Sequence, residues 1–265
     1  MRMAVLLSFA SVLLVALFAY SVLYEPENIR VEKVEIRDGR VPEGFRGKTF
    51  VFMSDLHIRK FGEREERILG IVDELKPDYI LLGGDYVVKN ETDVRELEFF
   101  RKLVENRTVF AVLGNHEHVH SDTEGIVRAM ERYDIIVLKN GHKRICERSG
   151  CIGIVGVDDP YLGYDDLGKA REGLNSSYTI LLAHTPDIID KAAGSFGLIL
   201  SGHTHCGQLN MPFLRGLWIP SKYGESYACG LFEVNGTVLY VSRGVGHEIP
   251  MRFLCPPEIT VVRFA

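Results

Sequence analysis

Short apolar runs alternate with helix-like segments along the first half of the chain. Residues 49–53, 79–82 and 109–113 are apolar runs of the length that is typical of buried strands. Between them, residues 63–75 and 93–105 carry apolar side chains at helical spacing, and the first of these segments stops before a proline. This alternation predicts an α/β fold whose strands collect their carboxyl ends along one edge of a sheet, where ligands usually bind.

The second half of the chain is richer in strands. A short helix is expected at residues 165–172, and Asn235-Gly236 indicates a tight hairpin turn. Further strands are predicted at residues 29–36, 135–138, 143–146, 152–157, 179–183, 198–200, 231–234, 238–242 and 259–264. This number of strands is enough for two sheets.

The N-terminal segment is apolar enough to cross a membrane. Residues 3–24 carry no charge, and as a helix they would be about 33 Å long against a bilayer core of about 30 Å. Arg2 precedes the segment while Glu25 and Glu27 follow it, so the positive-inside rule places the rest of the chain outside the cytoplasm. We expect an anchor at residues 1–24 and one catalytic domain at residues 25–265. A cleaved signal peptide and a buried helix are the alternatives, and Ala19-Tyr20-Ser21 is a poor cleavage site.

Composition narrows the class of protein. Of the 265 residues, 46% are hydrophobic and 25% are charged, an ordinary globular balance. The formal net charge of -5 and the lack of a basic block argue against a general nucleic-acid binder. The sequence gives no indication of the oligomeric state. Cys146 and Cys151 flank a hairpin-like segment, so both a disulfide and two unpaired small residues are open interpretations.

Polar residues of metal-ligand type follow five of the predicted strands. They are Asp55, His57, Asp85, Asn115, His116, His184, His203 and His205. Residues two apart on an extended segment point to the same side, so Asp-x-His and His-x-His each present two ligands to one place. One such group is commonly a turn or a helix cap, but five together predict a metal centre. The mixed oxygen and nitrogen set suits Mn, Fe or Zn better than Ca, Mg or a thiolate site.

The motifs SDLH, GGD, GNHE, AHTP and SGHTH resemble those of the calcineurin-like metallophosphoesterases in order and spacing, from Lys48 to Gln208. The tail, with VSRGVG from Val241 and PPE from Pro256, resembles a membrane-associated subgroup that includes bacterial UDP-2,3-diacylglucosamine pyrophosphatases. The resemblance implies a four-layer αββα sandwich of two mixed β-sheets flanked by helices.

The resemblance also implies a role for each motif residue. Asp55, His57 and His205 would hold a first metal ion, and Asp85 would bridge it to a second. Asn115, His184 and His203 would complete the second site, and a bridging hydroxide would attack phosphorus. His116 would protonate the leaving group, a task suited to imidazole.

Two positions depart from the family pattern. Val88 stands where the family often has an acidic residue that orients the catalytic histidine. His116 is therefore expected to rely on Glu117, to rely on a backbone carbonyl, or to matter less for catalysis. Cys206 stands where glycine commonly follows the last motif, and we expect it to be a passive small residue rather than a metal ligand or an oxidised thiol.

Other residues are candidates for substrate contact. Arg243 and Arg252 are suited to holding a non-reacting phosphate, although surface ion pairs would also explain them. His118 and His247 are better candidates than the other loop histidines, for which solvent exposure is the plain interpretation. Residues 211–227 are unusually apolar, as expected of additional core, a wall of the active site or a surface that dips into a membrane.

These patterns favour an extracytoplasmic, membrane-anchored hydrolase with two metal ions. Its expected substrate is a phosphodiester or pyrophosphate in a lipid-linked or cell-envelope molecule. A phosphomonoesterase for a soluble nucleotide or phosphoprotein would use the same site. A non-catalytic protein-binding scaffold is the alternative outside enzymes, although no expected ligand is missing.

Overall fold

Two six-stranded sheets pack face to face in the computed structural model, which describes residues 2–88, 98–119, 122–211 and 219–265. Helices cover the outer face of each sheet, so the expected four-layer sandwich of two mixed sheets is confirmed. The predicted helix at residues 93–105 lies partly outside the described residues.

The first sheet has the strand order β1-β12-β2-β3-β4-β5. β12 lies parallel to β1 and antiparallel to β2, and the pairs from β2 to β5 are parallel. The strands are β1 (Arg30–Ile36), β2 (Thr49–Met53), β3 (Tyr79–Leu82), β4 (Thr108–Ala111), β5 (Ile136–Val137) and β12 (Glu258–Phe264).

The second sheet has the order β10-β11-β9-β8-β7-β6. Its four central strands are parallel, and an antiparallel strand closes each edge. The strands are β6 (Gly141–Glu147), β7 (Gly150–Gly156), β8 (Tyr178–Leu182), β9 (Leu198–Ser201), β10 (Gly230–Val234) and β11 (Thr237–Val241).

Alternation along each strand divides the core into layers. In β2, Phe50 and Phe52 pack between the sheets while Val51 and Met53 pack under the outer helices, as the two-residue period of a strand requires. The first sheet is covered by α2 (Glu63–Leu75), α3 (Glu98–Leu103) and α5 (Thr123–Arg132), and the second by α6 (Leu167–Arg171) and α7 (Ile189–Ala192). The motif residue Asn115 begins the short α4 (Asn115–Val119).

The N-terminal helix stands apart from these layers. α1 (Arg2–Ala19) contains no buried residue, and it continues through a π-helical turn, Tyr20–Tyr24, into a 3-10 turn, Glu25–Glu27. The whole segment is long and apolar enough to cross a bilayer. Ser21, Glu25 and Pro26, at its C-terminal end, are buried.

Candidate metal centre

The polar residues that follow β2, β3, β4, β8 and β9 converge where the two sheets meet. The backbone ties these segments together, because the Asp55 amide donates to the Gly84 carbonyl at 2.9 Å and the His57 amide donates to the Asp85 carbonyl at 3.0 Å. Across the sheets, the His203 amide donates to the Asp55 carboxylate at 3.0 and 3.1 Å. Segments far apart in the sequence are thereby fixed at one place.

Five of the candidate ligands have a left-handed backbone. These are Asp55 (φ 56), His57 (φ 44), Asp85 (φ 55), His203 (φ 69) and His205 (φ 47). Residues other than glycine adopt this conformation infrequently, and when the surrounding structure holds them there the strain usually marks a functional site.

Two motif glycines let these segments approach closely. A Cβ atom at Gly114 would lie 2.2 Å from the Asp85 Oδ1 atom, and one at Gly202 would lie 2.3 Å from the Asp55 Oδ2 atom. A side chain at either position would displace a carboxylate that faces the centre, so glycine is required there for packing.

Asp55, His57 and His205 form the first group of candidate ligands. One ligand atom from each lies within 4.8 Å of the others. The Nε2 atoms of His57 and His205 are 3.2 Å apart, and the His205 Nε2 atom is 3.6 Å from the Asp55 Oδ1 atom. The group is almost completely buried, since neither Asp55 nor His57 exposes more than 1% of its surface.

Asp85, Asn115, His184 and His203 form the second group. The His184 Nε2 atom lies 3.0 Å from the His203 Nδ1 atom, 3.1 Å from the Asn115 Oδ1 atom and 3.3 Å from the Asp85 Oδ2 atom. The same Asp85 oxygen is 3.9 Å from the His57 Nε2 atom of the first group. Asp85 therefore lies between the two groups, as a bridging ligand would.

The electrostatics of these groups suit cations. Burial, together with the charge of His184, lowers the pKa of His203 to about 3, and burial together with the Arg252 guanidinium lowers that of His205 to about 3. Burial also lowers the pKa of His57 well below its ordinary value. These imidazoles are neutral at pH 7, which is the form that binds a metal ion. Buried lone pairs of nitrogen and oxygen converge here, so the residues fit two metal ions.

The charge on the remaining groups follows from the same arrangement. Burial alone would raise the pKa of Asp85, but the imidazoles of His184 and His57 lower it below its ordinary value. Burial alone would lower the pKa of His184, but the carboxylates of Asp85 and Asp55 raise it well above its ordinary value. The positive charge of the His184 imidazole thus balances the negative charge of the Asp85 carboxylate, a role that a bound cation would otherwise fill.

His116 lies at the edge of the centre and has a carboxylate partner that the sequence did not indicate. Its Nε2 atom is 3.0 Å from the Glu248 Oε1 atom and 3.8 Å from the Asp85 Oδ2 atom. The expectation that Glu117 orients His116 is wrong, because the Glu117 carboxylate accepts hydrogen bonds from the backbone amides of Asp85, Tyr86 and Gly114 at 2.8–2.9 Å. Glu117 instead shapes the turn that carries Asp85.

A cavity of about 380 Å³ opens above the candidate ligands. Its lining includes the polar residues His57, Asp85, Asn115, His116, His203 and His205 and the apolar residues Leu209, Pro220, Ile249 and Met251. Tyr161, another lining residue, places its ring 4.6 Å from that of His203. From the apolar stretch at residues 211–227, Pro220 lines the cavity, and residues 212–218 lie outside the described part of the chain.

The two arginines expected to hold phosphate have protein partners. Arg243 donates to the Glu258 carboxylate at 2.7 Å. Arg252 is fully buried and donates to the carbonyls of Gly246 and Cys255 at 2.5 and 3.1 Å. Neither lines the cavity, so their contact with substrate stays a prediction.

The loop histidines are also engaged with the protein. The His118 Nε2 atom lies 2.7 Å from the Asp158 Oδ1 atom and the ring packs against Tyr164, so its contact with substrate stays a prediction too. His247 is buried away from the cavity lining, and His142 contacts the Ala170 carbonyl at 2.9 Å. His120 lies outside the described residues.

Four of the five cysteines form disulfides. Cys146 and Cys151 are joined across the β6–β7 hairpin, which resolves the two open interpretations. The expectation that Cys206 is a passive small residue is wrong, because it is joined to Cys229. The sequence could not reveal this pairing, since the partner lies 23 positions away with no hairpin signal between them. Cys255 is free and buried.

Comparison with known proteins agrees with this geometry. Residues 48–207 match the family model described as calcineurin-like phosphoesterase. The chain is 32% identical over 253 residues to the Bacillus subtilis protein named uncharacterized metallophosphoesterase YkuE, covering 92% of this chain and 88% of the relative. It is 31% identical over 261 residues to the Escherichia coli phosphodiesterase YaeI, with 92% of each chain covered.

A vertebrate relative is larger. The Danio rerio transmembrane protein with metallophosphoesterase domain is 31% identical over 271 residues, which cover 95% of this chain but 61% of that protein. Family, relatives and the two ligand groups agree on a dinuclear metal site. The chain therefore belongs to the calcineurin-like phosphoesterase family and is a phosphoester hydrolase.

Proposed function

We propose that this hydrolase cleaves a phosphodiester or pyrophosphate bond in a lipid-linked or cell-envelope molecule. The observation that carries the proposal is the mixed lining of the cavity, which combines metal-ligand side chains with apolar residues that include Leu209, Ile249 and Met251. A substrate with a charged phosphate next to an apolar group complements both kinds of lining residue. The Escherichia coli relative, named a phosphodiesterase, supports the same bond type.

The ligand assignment follows the two groups. In the proposal, Asp55, His57 and His205 hold one ion, and Asn115, His184 and His203 hold the other. Asp85, whose Oδ2 atom lies near His57 of the first group and His184 of the second, would contribute to both sites. Mn, Fe or Zn suits this donor set better than Mg.

The protein's own residues would then position and protonate the substrate. When bound, the two cations supply Lewis acidity and lower the pKa of a water molecule, as in other two-metal hydrolases. His116, which lines the cavity beside Asp85, donates a proton to the leaving oxygen. The Glu248 Oε1 atom lies 3.0 Å from the His116 Nε2 atom and would restrict the orientation of the ring. Tyr161 lines the cavity beside His203 and would contact the part of the substrate that does not react.

The proposed location is the outer surface of a cytoplasmic membrane. The apolar segment from Arg2 to Glu27 would serve as the anchor, and the Danio rerio relative is named a transmembrane protein. The charge pattern around the segment favours a catalytic domain outside the cytoplasm. Two disulfides support the same side, because disulfides persist in oxidising compartments.

The test is an activity panel on the full-length protein in lipid nanodiscs with added Mn²⁺. The substrates are an aryl phosphomonoester, the matching aryl diester, a nucleotide-sugar pyrophosphate and a phospholipid, with metal content measured in parallel. We expect two ions per chain and faster hydrolysis of diester or pyrophosphate than of monoester. A strong monoester preference would contradict the proposed bond type. A chain without bound metal that stays inactive with Mn²⁺ would indicate a scaffold.

A matched variant shows whether the metal centre carries the activity. Asp85→Asn keeps the size of the side chain but removes the charge between the two ligand groups. We expect it to lose metal and activity together. Asp73→Asn, on α2 where the exposed carboxylate pairs with Arg107, should behave as the wild type.

A further inference from the structure

The end of the N-terminal helix carries a buried carboxylate that contacts a distant loop. Glu25 is 1% exposed, and its two carboxylate oxygens accept hydrogen bonds from the amides of Leu254 and Cys255 at 2.9 and 2.6 Å. A buried carboxylate is costly unless such donors satisfy it. The two contacts therefore fix the backbone at consecutive residues, one of which, Leu254, has a left-handed φ of 53°.

Other residues of the same helical end hold the loop as well. The Ser21 carbonyl accepts a hydrogen bond from the Arg252 amide at 2.9 Å. The Tyr20 ring meets the edge of the Phe253 ring, with centroids 6.3 Å apart. Every residue of the loop 252–255 is thus in contact with residues 20–25.

On its other side the loop contacts a candidate metal ligand. The Arg252 Nη2 atom lies 3.2 Å from the His205 Nδ1 atom, and the Cys255 thiol donates to the His205 carbonyl at 3.0 Å. Arg252 is fully buried and is itself fixed by the carbonyls of Gly244 and Gly246. Both the ring and the backbone of His205 are therefore held by the loop that Glu25 orders.

We propose that Glu25 is a positioning residue of the metal centre, which orients His205 through the loop 252–255. The proposal rests on the proposed function, because it takes His205 as a ligand of the first ion. His205 needs such support, since its left-handed backbone persists only where neighbouring contacts impose it. Contacts that orient a ligand from behind commonly change metal affinity by about 10- to 100-fold.

The proposal makes the end of the apolar helix part of the catalytic domain. Removal of the chain before Ser21 would remove the start of the helical turn that presents Glu25. Loss of Ser21 itself would remove the acceptor of the Arg252 amide. The segment therefore serves the metal centre in addition to any role as an anchor.

The test compares Glu25→Gln with Glu27→Gln in full-length protein in nanodiscs. Glutamine at position 25 keeps the shape but offers one acceptor oxygen and places an amide donor against a backbone donor. Glu27 is two residues further along the same turn, and its half-exposed carboxylate lies 3.6 Å from Arg67. Each protein is stripped with chelator and titrated with Mn²⁺, and metal content and unfolding temperature are measured with and without the ion.

We expect the wild type and Glu27→Gln each to bind two ions, and each ion to bind equally tightly to the two proteins. Glu25→Gln should keep one ion and bind the other about 10- to 100-fold more weakly, and Glu25→Asp should recover part of the loss. Unchanged binding of both ions in Glu25→Gln would overturn the proposal. Equal weakening of both ions would also overturn it, because Glu25 would then support the fold in general. A wild type that binds no pair of ions would instead refute the proposed function on which this one rests.

Discussion

Glu248 reaches His116 from the loop that follows β11, and the contact has a testable consequence. Their side chains are 3.0 Å apart, and the Glu248 backbone carbonyl is held by Arg59 at 2.5 Å. If His116 protonates the leaving group, a misoriented ring lowers the rate most for a substrate with a poor leaving group. We expect Glu248→Gln to lower kcat about tenfold or more for an alkyl diester and less than about threefold for a nitrophenyl diester.

The control for this variant is Glu233→Gln, which changes an exposed carboxylate on β10 far from the cavity lining. Its rates should equal those of the wild type on both diesters. An equal loss on both diesters in Glu248→Gln would mean that Glu248 acts on substrate binding or on metal affinity instead.

His247 makes the stability of the metal-free protein depend on pH. Burial, and then the charges of Arg64 and Arg252, lower its pKa to about 3, below the ordinary value of 6.5. Between these values the unfolded chain binds a proton that the folded chain does not, so stability falls as pH decreases below 6.5. We expect the urea midpoint to fall from pH 7 to pH 5, and to fall less in His247→Gln.

The comparison between wild type and variant isolates this residue. His203 and His205 also have pKa values of about 3 and destabilise the acidified protein in the same direction. They are present in both proteins, so their effect cancels in the difference. The same pH slope in His247→Gln and wild type would show that His247 does not contribute.

At the scale of single residues, the sequence identified side chains that lie in motifs. The Asp-x-His and His-x-His spacing was sufficient to find them, but the extended geometry expected for these motifs is wrong, because Asp55, His57 and His205 have a left-handed backbone. Glu248 and Tyr161 lie in no motif, and they reach the cavity only because distant loops fold over it. Val88 indicated that His116 lacks the usual orienting residue, but the sequence did not indicate Glu248, the carboxylate that lies beside it.

At the scale of elements, a disulfide holds the segment that carries His205. Cys206 has a left-handed φ of 55° and is joined to Cys229, 23 positions away. A cross-link that closes a loop of this size stabilises the folded protein by about 3 kcal/mol, because it restricts the unfolded chain. We expect the double variant Cys206→Ser, Cys229→Ser to unfold at a lower temperature and to bind Mn²⁺ more weakly.

The other disulfide provides a matched control. Cys146→Ser with Cys151→Ser removes the bond across the β6–β7 hairpin, at the edge of the second sheet. It should lower the unfolding temperature while leaving Mn²⁺ affinity unchanged. If both double variants weakened Mn²⁺ binding equally, the Cys206–Cys229 bond would have no special relation to the metal centre.

Strands were predicted more completely than helices, for a physical reason. Buried strands such as β2 and β3 are continuous apolar runs bounded by polar residues, and their predicted limits match the observed ones. α4 has five residues, too few to show a helical period. α5, by contrast, carries Ile126, Ala129 and Met130 at helical spacing on its buried face.

At the scale of the whole molecule, local patterns do not determine the order of the strands. β12, the last strand, inserts between β1 and β2 and pairs with them in opposite directions. Nothing in its apolar run indicates these neighbours, because pairing is decided by contacts distant in sequence. The four-layer arrangement was predicted only through the family resemblance, whereas the number of strands followed from the residues.

The position of the cavity relative to α1 leads to a prediction about how substrate arrives. Ile249 is 58% exposed, lines the cavity and precedes the loop 252–255 that the end of α1 holds. If α1 spans a bilayer, we expect Ile249 to lie near the lipid surface. We expect Ile249→Ser to raise KM about fivefold for a phospholipid in vesicles, because the variant lacks the apolar area that isoleucine would bury against the lipid. It should leave kcat/KM for a soluble aryl diester unchanged. The control is Leu231→Ser, which removes a similarly exposed residue on β10 and should change neither value. An equal rise in KM for both substrates in Ile249→Ser would place Ile249 in general substrate binding rather than at a membrane surface.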